Sequence, residues 1–80
     1  MTKEEIQILI LTLLRRITLK SDLEVDDQTN FVDIGGWDSL NTVDLEMELE
    51  SALGISFEMG EFQQYNNIAT LLEALEAKTR

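Results

Sequence analysis

Gly35-Gly36-Trp37-Asp38-Ser39-Leu40-Asn41-Thr42-Val43-Asp44-Leu45-Glu46-Met47-Glu48-Leu49-Glu50-Ser51-Ala52-Leu53-Gly54 is the stretch whose reading decides the fold. Two glycines lead into Asp38, a preferred helix N-cap type, and Gly54 supplies the stop. Between them Thr42, Leu45, Leu49 and Leu53 recur at three- and four-residue spacing, so one stripe of a helix faces inward. Asp44, Glu46, Glu48 and Glu50 place four acids in seven residues with no base at i+4 spacing. Such a set costs an isolated helix stability through repulsion, so something other than local helix propensity favours it.

Outward from this helix the same periodicity returns. Thr2-Lys3-Glu4-Glu5 fits a capping box just ahead of an apolar run, and Ile6, Leu9, Ile10, Leu13, Leu14 and Ile17 form one stripe. Ile8 and Leu11 fall off it and suit a helix with two neighbours. Arg15, Arg16 and Lys20 lie near the C-terminal end, where cations complement the helix dipole. Ser21 to Trp37 reads as a long loop with Val25, Phe31 and Ile34 as anchors, and a loop this long in a small domain usually has a role. After Gly54, Ile55 and Phe57 lie in an extended stretch. A short turn or helix forms around Glu61-Phe62-Gln63, and Asn66 or Asn67 caps a last helix through Ala77 with Ile68, Leu71, Leu72 and Leu75 inward. No alternating run long enough for a sheet appears. The expectation is an all-α, four-helix bundle, three main helices plus one short one. Its core is expected around Ile6, Leu9, Leu13, Phe31, Leu45, Leu49, Leu53, Phe57, Ile68, Leu71 and Leu75.

Composition narrows the function. Eighty residues allow one small domain, taken as 1–80, and 44% hydrophobic content is enough for a core. Six bases against 16 acids give 6 − 16 = −10. The bases are Lys3, Arg15, Arg16, Lys20, Lys78 and Arg80, so Ser21 to Ala77 holds 14 acids and no base. That sign opposes nucleic acid and anionic membrane surfaces and favours steering towards basic partners. There is no His and no Cys. Ser-His-Asp and Cys-His arrangements, zinc-thiolate sites and disulfides are therefore excluded, and no catalytic residue or metal ligand set is expected. The run Ile8 to Leu14 is too short to span a bilayer, and acids precede it, the wrong order for a secretory signal. A cytoplasmic monomer without membrane insertion is the expectation.

Ser39 is the residue that could carry chemistry. It follows the N-cap, where unpaired amides and partial positive charge stabilise an attached phosphate. It has no histidine base, so another enzyme must supply base, metal and phosphate donor. Gly36-Trp37-Asp38-Ser39-Leu40, the acidic helix behind it and Gly54-Ile55 resemble the acyl carrier protein family and its peptidyl-carrier relatives, over nearly the whole chain. The resemblance implies a 4′-phosphopantetheine arm on Ser39, donated by coenzyme A through a phosphopantetheinyl transferase. Its thiol would hold an acyl or aminoacyl group as a thioester, which accounts for a carrier without Cys. The chain would then be a substrate of enzymes, not an enzyme, in fatty-acid, polyketide, nonribosomal-peptide or related biosynthesis. Asp38, Asp44, Glu48 and Glu50 would meet basic docking surfaces on acyl-loading and acyl-processing enzymes, and Leu40, Val43 and Met47 would give the apolar contacts. Apolar cargo would slip between the helices.

Two positions depart from the family pattern. Asn41 stands where many fatty-acid carriers have an acid, and Glu46 where an apolar residue is common. Gly35-Gly36 resembles the carriers of nonribosomal peptide assembly, and with Trp37 this points to a specialised carrier. The short termini suggest a free-standing one. Two other classes compete. Asp22 to Asp33 has the length and oxygen ligands of an EF-hand loop, but Asp27 replaces the turn glycine and Asp33 the bidentate Glu, which argues against a regulatory calcium site. The alternative is an acidic interaction domain of the same fold without a prosthetic group.

Overall fold

Thr2 starts the first helix by reciprocal capping: the Glu5 carboxylate accepts the Thr2 amide at 2.7 Å, and the Thr2 hydroxyl accepts the Glu5 amide at 3.2 Å. The first of these bonds holds the Glu5 carboxyl below its ordinary range. A computed structural model describes residues 1–80, and in it α1 runs Lys3–Thr18, α2 Ser39–Leu53 and α3 Ile68–Lys78. All three open with a capping box, closed at α2 by Asp38 and Asn41 and at α3 by Asn67 and Thr70. Gly54 ends α2 at φ 65°, a left-handed conformation that glycine adopts without a Cβ clash. Leu19 ends α1 in the same region, at φ 59°, without that freedom.

The all-helical expectation holds, with one correction. The short helix expected around Glu61 is only a 3-10 turn, Phe62–Gln64, and a second such turn, Phe31–Asp33, lies inside the long first loop. Gly60 at φ 79° just upstream and extended Tyr65 just downstream leave too few residues to offset the cost of nucleating an α-helix.

The core joins Ile6, Ile10, Leu13 and Leu14 of α1, Leu45 and Leu49 of α2, and Ile68, Leu71, Leu72 and Leu75 of α3, with Phe31, Ile34 and Phe62 from the loops. Leu9, Leu53 and Phe57, expected inside, sit half-buried at its edge. The reason is the part α1 plays: it packs against both α2 and α3, and these neighbours cover Ile10 and Leu14 of its stripe more fully than Leu9. The first loop is pinned to the start of α3 by an antiparallel bridge between Asn30 and Asn67. The Phe31 amide donates to the Asn66 carbonyl at 3.0 Å and the Ile68 amide to the Thr29 carbonyl at 3.1 Å. No helix is long and apolar enough to cross a membrane.

Candidate functional site

The loop entering α2 is aimed by the end of α1. Lys20 Nζ donates to the Gly35 carbonyl at 2.7 Å, and a Cβ at Gly35 would meet that ammonium at 2.8 Å. Gly36 then turns the chain at φ 82°. Trp37 stacks on Phe31, ring centroids 5.4 Å apart, and its Nε1 donates to the Thr42 hydroxyl at 3.1 Å. Trp37 is thus a half-buried plug at the loop–helix junction.

Asp38 accepts the Asn41 amide at 3.0 Å, and the Asn41 side-chain oxygen accepts the Asp38 amide at 2.9 Å. Ser39 is the first residue of α2, exposed, and its hydroxyl takes no part in the hydrogen bonds of this turn. The Ser39 and Leu40 amides, at the open end of the helix, have no intrahelical acceptor. Beside them lies a cleft of about 400 Å³ lined by Ser39, Trp37, Thr42 and Phe31 on one side and Phe62, Gln63, Tyr65 and Asn66 on the other. An exposed hydroxyl, helix amides with room for an anion, and a half-apolar cleft bearing carboxamides are a fitting seat for a phosphate ester and an amide-containing chain.

A family model described as the phosphopantetheine attachment site matches residues 9–75. The chain belongs to the acyl carrier protein family. It is similar to the chloroplastic acyl carrier protein 2 of Hordeum vulgare, 38% identical over 66 residues, 79% of this chain and 50% of the relative. It is also similar to the chloroplastic acyl carrier protein of Brassica napus, 42% identical over 62 residues, 78% of this chain and 43% of the relative. The chain spans about half the length of the curated relatives it matches. The cofactor of this carrier is covalently attached 4′-phosphopantetheine.

Along α2 the carrier separates the residues expected to meet partners. Leu40, Val43 and Met47 are exposed by 72%, 45% and 62%, an unpartnered apolar line at i, i+3 and i+7, and Asp44 is exposed beside them. Glu48 pairs with Arg16 of α1. Glu50 is turned to the far end of the helix, where its carboxylate accepts the Phe57 amide at 2.8 Å. Asp38 has its N-cap task in hand.

Both departures from the family pattern also gain a physical reading. Asn41 is the reciprocal capping partner of Asp38, a task visible in the Asp-x-x-Asn spacing. Glu46 is half-buried; desolvation, with Glu50 and Glu61 nearby, pushes its carboxyl above the ordinary range. Sequence reading missed Thr42, Tyr65 and Asn66 as lining of the Ser39 cleft. The acids of Asp22 to Asp33 do not converge on a metal-binding group. Instead, Asp26 folds back locally, accepting the Gln28 amide at 2.9 Å.

Proposed function

We propose that Ser39 is the attachment point of the 4′-phosphopantetheine arm. On this reading the chain is a monomeric acyl or aminoacyl carrier, not an enzyme, serving fatty-acid, polyketide, nonribosomal-peptide or related biosynthesis. The observation that carries this reading is the exposed, unengaged Ser39 hydroxyl at the first position of α2, next to the aromatic cleft. Loading would break the Ser39 Oγ–H bond and one P–O bond of the coenzyme A diphosphate, joining Oγ to the phosphorus that bears pantetheine while adenosine 3′,5′-bisphosphate leaves. The proton goes to the transferase, because this chain has no His and holds no side chain on Oγ. The Ser39 and Leu40 amides would hold the phosphate, with the capping box keeping that helix end in place. When bound, the arm supplies the thiol that holds cargo as a thioester.

The partners that fit are a phosphopantetheinyl transferase and acyl-loading and acyl-processing enzymes. Their docking surfaces would present bases to Asp44 and an apolar patch to Leu40, Val43 and Met47. Coexpression with a broad-specificity transferase, followed by intact mass, tests the assignment. One prosthetic-group adduct is expected, lost in Ser39→Ala. No adduct with a competent transferase would favour the interaction-domain reading instead.

A further inference from the structure

The loop between α2 and α3 carries a cluster that loading does not use. Lys78, in the last turn of α3, reaches back over it. Its Nζ lies 3.0 Å from one Glu61 carboxylate oxygen and donates to the other at 3.2 Å, and it donates to the Ser56 carbonyl at 3.2 Å. The same ammonium stands 5.1 Å from the centroid of the Phe57 ring. Glu61 accepts the Tyr65 hydroxyl at 2.5 Å, and Phe57, Phe62 and Tyr65 meet edge to face. The charges are shielded, with the Lys78 and Glu61 side chains exposed by only 25% and 21%. The Tyr65 hydroxyl, the Glu58 amide and Lys78 draw the Glu61 carboxyl down to about 2. The bond to Glu61 raises the Tyr65 phenol to about 12.

Two facts give this cluster a task. Phe62 and Tyr65 form one wall of the cleft beside Ser39, and no residue of α3 lines it, so the loop rather than a helix closes that side. The loop's own secondary structure is a three-residue turn with no side-chain cap, too short to hold itself. We infer that Lys78, acting through Glu61 and Tyr65, is a positioning residue that holds the aromatic wall of the Ser39 cleft and so sets the shape that the arm and its cargo meet. The inference rests on Ser39 as the attachment point, but the wall is a property of the unmodified chain and is measured there first.

The experiment compares full-length wild type, Lys78→Met, Lys78→Arg and Tyr65→Phe by amide hydrogen exchange and NMR. Met keeps an apolar stem over Phe57 and removes the ammonium. Exchange at the Glu61, Gln64 and Tyr65 amides, measured relative to Leu45 and Leu49, is expected to quicken about tenfold in Lys78→Met and less in Tyr65→Phe. The Trp37 indole and Ser39 amide resonances shift in both variants, and Arg restores the wild-type pattern. A uniform rise across all helices, an unchanged ratio, or a loosened loop with Trp37 and Ser39 resonances unmoved would each overturn the inference. On the transferase-modified chain, arm-induced shifts at Tyr65 are expected in wild type and lost in Lys78→Met; identical shifts in both would also overturn it. Failure of the Ser39 reading shows separately, as a missing mass adduct, while the exchange result stands on its own.

Discussion

Asp44 and Glu50 sit on one helix with one charge each, yet the geometry assigns them different work, and a pair of substitutions separates the two. Asp44→Asn removes an exposed charge that has no ion-pair partner. Its effect on stability should stay within about 0.5 kcal/mol, as for surface changes away from special contacts. Docking onto a basic enzyme surface should lose one rim charge, about 0.2–1 kcal/mol, which raises the KM of a transferase for this carrier by a factor of about 1.4 to 5 at low salt. Glu50→Gln keeps size and helix propensity but turns the charge-assisted bond to the Phe57 amide into a neutral one. That loss is about 1 kcal/mol, offset by a few tenths from relieved repulsion with Glu46 four residues away. A net cost near 0.5–1 kcal/mol lowers Tm by roughly 3–6 °C in a chain of this size. The assay is transferase kinetics with coenzyme A across a salt series, beside thermal unfolding of the same proteins. If Glu50→Gln raises KM as much as Asp44→Asn while leaving Tm unmoved, Glu50 is a docking residue and the assignment drawn from the Phe57 amide is wrong.

Leu19→Gly should stabilise the carrier: Leu19 is 90% exposed and at φ 59°, so little burial is lost. Relief of about 1–2 kcal/mol of left-handed strain outweighs about 0.5–1 kcal/mol of added glycine entropy, and a fall in Tm would contradict this. Glu61 has its folded pKa drawn down to about 2 from an ordinary 4.5, so its contribution is complete above the ordinary value and fades as pH falls through about 2. Its carboxyl carbon, followed by NMR, should titrate near that lower value, and Glu61→Gln should flatten the loss of stability across the window. Glu46 is shifted the other way, so its ionised form opposes folding and its penalty grows as pH rises past the ordinary carboxyl range. Glu46→Gln should therefore gain about 0.2–0.5 kcal/mol at neutral pH in chemical denaturation, and little or nothing in acid.

What was legible in the chain was whatever local chemistry dictates. Capping residues and stop signals marked α1 and α2 because orphan amides and carbonyls must be satisfied at helix ends whatever the fold. Asn67, one of two adjacent candidates, proved to be the α3 cap. The Ser39 turn was legible for the same reason. The assignments that changed depend on contacts between elements. Leu9 lies at the core's edge while Ile10 and Leu14 of the same stripe are buried, because a stripe does not say which of its members the two neighbours of α1 will cover. The short element expected around Glu61 is only a three-residue turn, and Lys78 holds it from 17 positions away along the chain. Glu48 and Glu50 looked like Asp44 in sequence, since a carboxylate's partner across the fold is invisible to periodicity.

The net charge of −10 accordingly overstates the surface available for recognition. Arg15 bonds the Leu23 carbonyl and Glu24, Arg16 meets Glu48, Lys20 holds Gly35 and Lys78 holds Glu61, so four of the six bases are engaged by the chain's own groups. The acids they meet, with Asp38 and Glu50 on backbone amides, are committed to shape. On α2 this leaves Asp44 as the exposed acid without such a task, next to the apolar line of Leu40, Val43 and Met47. Specific docking onto this helix therefore has to draw on that apolar line as well as on charge. The rest of the acid supplies a diffuse field that speeds encounter and is screened by salt. High salt should thus slow association with partner enzymes far more than it weakens the docked complex.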